Sequence, residues 1–187
     1  MMSRIAIALS LGLIVAAGPV ARVAPAAAVA ANPVLVLQIT DKGTFEIELY
    51  QSDAPKSVAH LLDLIKRGFY QGLRFHRVTP TLVQFGDPQT RNMRAENLWG
   101  TMGSGEAIGV AEISKTRKHI RGTVGLAHSG DATRADSQLY IMKSASSPSL
   151  DGKHAIVGQV IKGMEVVDKI QKADIIKTVT VKAAAPK

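Results

Sequence analysis

The chain has 187 residues, a formal charge of +8 and 46% apolar residues, which fits one domain with a packed core and excludes wholesale disorder. It contains no cysteine, which excludes disulfides, thiolate metal centres, iron–sulfur clusters, thiol catalysis and lipidation of an N-terminal cysteine. Basic residues are scattered, most densely at Lys115, Arg117, Lys118, His119 and Arg121. Aromatics are only 4% and none interleave there, so a solvated loop is expected rather than a nucleic-acid surface.

The N-terminus carries the three-part pattern of a secretory signal peptide. Met1 to Arg4 is short with one positive charge, Ile5 to Ala17 is almost purely apolar, and small residues follow, including Ala24-Pro25-Ala26 and Ala28-Val29-Ala30. A spanning helix needs about 20 apolar residues, and Gly18, Pro19 and Arg22 interrupt this run first. An uncleaved membrane anchor is the competing reading. Cleavage is expected between residues 26 and 31, leaving a signal peptide over 1–31 and one exported domain over 32–187, periplasmic or secreted. Loss of Arg4 and Arg22 takes the formal charge from +8 to +6.

In the remaining chain, Val34 to Thr40 is rich in β-branched residues and alternates, so a strand is predicted. Asp41-Lys42-Gly43 signals a turn, and Thr44 to Tyr50 alternates again, with Phe45, Ile47 and Leu49 on one face and Glu46 and Glu48 on the other. A hairpin with one buried face follows. A helix comes next. Ser52 or Asp53 can cap it, Pro55 suits its first turn, Val58, Leu61, Leu62 and Ile65 share a face, and Gly68 ends it.

Arg74 to Val78 and Leu82 to Phe85 read as strands joined at Thr79-Pro80. Pro88 to Gly122 shows little periodicity, and a loop of that length is usually functional or hides short strands. Thr123 to Ala127, Ser137 to Met142, Ala155 to Ile161 and Ile175 to Val181 read as strands, with an amphipathic helix marked by Met164, Val166, Val167 and Ile170. Mostly antiparallel β structure with two helices predicts a barrel closed on itself, its ends covered by the helices; closure would remove exposed edges.

Several common chemistries find no support. Among His60, His76, His119, His128 and His154 there is no i, i+4 pair on a helix to hold a metal. Gly100, Gly103, Gly105 and Gly109 lack the Lys-Ser/Thr ending and the strand–helix frame of a phosphate loop, and no serine sits in a nucleophile elbow.

From Phe75 onward the sequence resembles the cyclophilin family. Phe75-His76-Arg77-Val78 resembles its Phe-His-Arg motif, and Gln84-Phe85-Gly86-Asp87-Pro88 its Gln-Gly-Gly-Asp-Pro. Arg121-Gly122-Thr123-Val124-Gly125-Leu126-Ala127 is similar to Arg-Gly-Thr-hydrophobic-x-Met-Ala, and Ser137-Gln138-Leu139-Tyr140-Ile141 to Ser-Gln-Phe-Phe-Ile. Leu150-Asp151-Gly152-Lys153-His154, Val157-Gly158-Gln159-Val160 and Gly163 to Ile170 match later segments. Each fragment is weak alone; their joint order over Val34 to Val181 is specific. The resemblance implies an eight-stranded antiparallel barrel with two capping helices, and peptidyl-prolyl cis–trans isomerase activity without a cofactor. Taken with the signal pattern and the composition, a monomer is expected that acts on proline-containing, unfolded or partly folded envelope proteins, with no nucleic acid and no membrane contact beyond the signal peptide.

The resemblance also assigns residues. Arg77 matches the catalytic arginine, and Gln84 the glutamine that orients it and the substrate carbonyl. Gln138 matches the glutamine that binds substrate backbone. Tyr140, Leu150 and His154 match proline-pocket positions, and His76, beside the arginine, is expected to bind substrate as well. Ala127, His128 and Ser129 match a segment that receives substrate backbone, His128 replacing an asparagine. Pro80-Thr81-Leu82-Val83-Gln84 is one residue shorter than the family's Pro-x-Phe-Met-x-Gln. A loss after Val83 makes Leu82 and Val83 the pocket Phe and Met; a loss in the turn makes them Thr81 and Leu82. A one-residue slip moves side chains across the strand. The shortened segment motivates a second reading, a non-catalytic proline-peptide-binding module or holdase with an eroded pocket.

Overall fold

Alternating sequence becomes a hairpin at the start of the domain. Strands β1 (Val34–Ile39) and β2 (Gly43–Leu49) pair antiparallel from Val34 opposite Glu48 to Ile39 opposite Gly43. Leu35, Leu37, Ile39, Phe45, Ile47 and Leu49 all face the core, as period-2 side-chain alternation requires. Asp41 (φ 58°) and Gly43 (φ 114°) make the turn. The structure is a computed structural model and describes residues 31–182; the signal-peptide pattern of residues 1–30 lies outside them. Among the described residues no helix is long and apolar enough to cross a membrane.

Helix α1 (Pro55–Lys66) buries Val58, Leu61, Leu64 and Ile65. Leu62, expected on that face, lies at its half-buried edge. Neither Ser52 nor Asp53 caps the helix: Ala54 is the N-cap and offers no side-chain acceptor. A carboxylate from a distant loop does this work instead. Glu112 accepts from the N–H groups of Lys56 (3.0 Å) and Ser57 (2.8 Å), satisfying two otherwise free donors at the positive end of the helix dipole. The same loop is pinned at the other end, where Arg67 donates to Glu106. Arg117 pairs with Asp53 and lies 3.3 Å from the Tyr50 ring centre.

The remaining strands are β3 (Arg77–Val78), β4 (Leu82–Phe85), β5 (Thr123–Leu126), β6 (Leu139–Met142), β7 (Ile156–Lys162) and β8 (Ile176–Lys182), with a short α2 (Met164–Asp168) before β8. The eight strands form one antiparallel sheet in the order β3-β4-β6-β5-β7-β2-β1-β8. The closed barrel expected from the sequence is not formed: the sheet is an open half-barrel. Its two ends meet only at an isolated bridge between Arg74 and Ile175 and a few backbone bonds, such as Gly72 N–H to Ile176 and Phe75 N–H to Asp174. The predicted strand from Arg74 shrinks to Arg77–Val78. At the seam Ala173 takes positive φ (72°), a turn conformation that cannot continue a ladder. The main core lies inside this curl, between the sheet and the helices.

Candidate functional site

The register of the central strands lines up a row of side chains. Arg77 pairs with Gln84 across β3–β4, Gln84 with Tyr140 across β4–β6, and Tyr140 with Gly125 across β6–β5. Directly opposed residues share a face, and residues two apart stay on it, which adds Leu82 and Gln138. The intervening residues Val83, Ile141 and Val124 point the other way and are fully buried in the main core. This settles the shortened segment. Leu82 and Gln84 keep the two-residue spacing of one face, so the missing residue belongs to the turn. Val83, expected in the pocket, is instead a core residue. Thr81, the alternative pocket candidate, is exposed and bonded to Thr79.

A chain of amides runs from a loop to the arginine. Gln138 Nε2 donates to the carbonyls of Gly100 (2.9 Å) and Met102 (2.8 Å). Both of its hydrogens are then used, so its oxygen faces Gln84, whose Nε2 donates to it at 2.8 Å. The oxygen of Gln84 therefore faces outward and accepts from Arg77 Nη1 at 3.4 Å. Each amide fixes the next, because donor and acceptor ends are not interchangeable. The result is an exposed guanidinium steered by a half-buried glutamine pair.

The loop that receives Gln138 is itself held by a buried carboxylate. Asp87 is fully buried and accepts from the N–H groups of Gln89 (2.7 Å), Gly100 (2.6 Å) and Met102 (3.2 Å). Gly100 (φ 91°) lies against the His76 ring, where a Cβ would sit 3.1 Å from Cδ2. His76 is thus packed beneath the loop and largely buried, with neither ring nitrogen hydrogen-bonded. Burial pushes its pKa down, so it is neutral at pH 7.

The site has two compartments. One is a polar groove of about 640 Å³ running past Gln84, Gln138, Ala127, His128 and Ser129, with Arg134 and Asp136 at its far side. Asp136 accepts from Ser104 (2.5 Å) and Gly105 N–H (2.9 Å) and contacts His60 (3.2 Å). Burial raises its pKa, but these contacts prevail and hold the carboxyl below its ordinary range. The other compartment is apolar: Leu82, Tyr140 and Met142 form a small cluster separate from the main core, with Ala127 and Leu150 against it. His154 presents its ring edge-on to Tyr140 at 5.7 Å and packs on His128 at 4.2 Å. Its Nδ1–H donates to the Leu126 carbonyl (3.1 Å), and burial lowers its pKa. His128 turns its Nε2 to the Lys153 carbonyl (3.0 Å).

The structure therefore brings Arg77, Gln84, Leu82, Ala127, His128, Ser129, Gln138, Tyr140, Leu150 and His154 to one face, packs His76 under the loop beside it, and turns Val83 into the core. Sequence reading did not single out Asp87, Gly100, Met102, Met142 or Asp136. Only Asp87 had a visible signal, its place in the Gln84–Pro88 motif. Nor is the basic stretch before β5 simply a solvated loop: His119 is buried, Arg117 is stacked, and Arg121 pairs with Asp168.

Comparison with known proteins agrees with this geometry. The family model described as cyclophilin type peptidyl-prolyl cis-trans isomerase matches residues 34–185. A peptidyl-prolyl cis-trans isomerase of Helicobacter pylori is 38% identical over 143 residues, covering 75% of this chain and 82% of that protein. A probable peptidyl-prolyl cis-trans isomerase of Brucella suis is 41% identical over 150 residues, covering 76% and 74%. Among solved structures, a Cryptosporidium parvum cyclophilin type isomerase superposes with a TM-score of 0.69 at 25% identity, over 82% of this chain and 99% of that one. The same protein studied in the presence of the dipeptide Ala-Pro gives 0.66 at 26% identity, over 80% and 98%. With its Arg77–Gln84–Gln138 row, its apolar neighbour cluster and this match over nearly all the described domain, the chain belongs to the cyclophilin-type peptidyl-prolyl cis–trans isomerases.

Proposed function

We propose that this isomerase turns Xaa–Pro bonds at the Arg77–Tyr140 face and acts on exported polypeptides. Uncatalysed isomerisation takes tens to hundreds of seconds, because amide resonance sets a barrier of about 18–20 kcal/mol. A catalyst must bind the twisted amide better than either planar form. Twisting frees the proline nitrogen lone pair, and a fixed cationic donor is the group that favours this state. Arg77 is that donor, permanently charged and steered by Gln84. The apolar cluster of Leu82, Tyr140, Met142, Ala127 and Leu150 holds the prolyl ring while the preceding carbonyl rotates. Ala127, His128 and Ser129 line the groove for the flanking backbone. No covalent intermediate is needed.

The single observation that carries this reading is the amide chain ending on Arg77 beside a separate apolar cluster. Proline-limited refolding of a model substrate tests it: residues 32–187 accelerate the slow phase and Arg77→Ala does not. Acceleration by a folded Arg77→Ala protein refutes the assignment. Export rests on the charged, apolar and small-residue pattern of residues 1–31. On this reading the enzyme works in the periplasm or outside the cell, and we propose a monomer that serves unfolded or partly folded envelope proteins. N-terminal sequencing of exported protein checks it; an intact Met1 on membrane-bound protein overturns cleavage.

A further inference from the structure

Tyr140 stands where the family carries phenylalanine, and its hydroxyl must find a partner when buried. Tyr140 is 3% exposed. Its cross-strand partner is Gly125, and a Cβ there would overlap the Cζ and Oη of the tyrosine. The ring therefore lies over the bare backbone of β5, and its hydroxyl passes beyond that strand. There it meets His119 Nε2 at 2.8 Å. The His119 side chain is completely buried. Its Nδ1 lies 2.9 Å from Asp151 Oδ1, which also accepts from the His119 backbone N–H at 2.8 Å. A carboxylate only accepts, so Nδ1 carries the hydrogen, and in the neutral ring Nε2 accepts from the tyrosine hydroxyl. The two rings lie nearly parallel, 5.9 Å apart.

Asp151 directly follows Leu150 and is three residues before His154. One buried imidazole thus ties together the two chain segments that line the apolar compartment. On one side it fixes the depth of Tyr140; on the other it anchors the turn bearing Leu150 and His154. We infer that His119 is a positioning residue, held by Asp151, which sets the Tyr140 ring and the Leu150–His154 turn at the spacing that receives the prolyl ring. Gly125 is its necessary complement, because any side chain there would displace the tyrosine. This inference rests on the assignment of the Arg77–Tyr140 face as the site.

The test is steady-state isomerisation of a short Xaa–Pro peptide by wild type, His119→Ala, Tyr140→Phe, the double variant and Arg77→Ala, with folding checked by circular dichroism. His119→Ala raises KM about fivefold or more while kcat stays within about twofold, since Arg77 and Gln84 are untouched. Tyr140→Phe raises KM less, and the double variant matches His119→Ala, because both substitutions break the same bond. His119→Gln, which keeps a donor and an acceptor, recovers part of the loss and stands in for the alanine variant if that one does not fold. Nitrogen NMR of wild type finds the Nδ1–H tautomer of His119. Wild-type KM in a folded His119 variant, multiplying effects in the double variant, or the Nε2–H tautomer overturns the inference. Loss of activity in Arg77→Ala beside an unchanged KM in the His119 variants rejects this role alone; full activity in Arg77→Ala rejects the site itself.

Discussion

The two faces of β4, β5 and β6 are held by different forces: the inner one is sealed in the core, and the outer one borders the groove. On the inner face Val83, Ile141 and Val124 pack in the main core and need only volume and apolarity. On the outer face Gln84, Gln138 and Tyr140 are placed by directed bonds, each requiring a particular partner atom. The same backbone ladders serve both faces, so a stiff core is also the ruler for the site. Stability and catalysis should accordingly separate by side-chain parity along these strands.

The sharpest way to break this comparison is Arg77→Ala. Removing a charged donor to the twisted amide should lower kcat/KM about 100-fold or more. The residue is exposed, so the urea midpoint should barely move. A large stability loss there would blur the separation. Val83→Ala should do the reverse, costing about 2 kcal/mol in urea unfolding while the folded protein keeps its rate. A drop in rate larger than in stability would return Val83 to the pocket.

Smaller effects sharpen the picture away from these strands. Glu112→Ala, which uncovers two N–H groups of α1, should cost about 1 kcal/mol in thermal melting, with catalysis unchanged; an unaltered melt would show that water replaces the carboxylate freely. The smallest effect concerns pH. Burial depresses the folded pKa values of His76 and His154. The unfolded chain then takes up protons first as pH falls. Their contribution to stability is complete above about pH 6.5 and is lost as pH falls through the folded values. Melting temperatures from pH 7.5 to 5 should decline, and less steeply in a His76→Leu, His154→Gln variant. An identical slope in that variant would remove these two groups as its cause.

Much of the fold is legible in the chain itself. The hairpin alternation of Phe45, Ile47 and Leu49, the helix Pro55–Lys66, and the strands around Val83, Val124 and Ile141 all appear where local pattern puts them, because each segment's periodicity is its own. The motifs also announce Arg77, Gln84, Gln138 and Tyr140. Less was legible where partners are remote. Glu112 caps a helix more than fifty residues away, and nothing near Ser52 or Asp53 discloses that. Closure of the barrel fails at a seam between Arg74 and Ile175, a contact between chain segments about a hundred residues apart.

The sequence by itself determined which segments alternate, which curl into helices, and which residue types stand in the row that the family motifs share. Those properties follow from side-chain chemistry acting over a few neighbours. Tertiary structure alone decided that the sheet stays open, that Val83 turns inward while Leu82 turns outward, and that His119 lies beneath Tyr140. Each of these is a matter of strand register and of donors meeting acceptors across long loops, and register acquires its value only when the strands have paired.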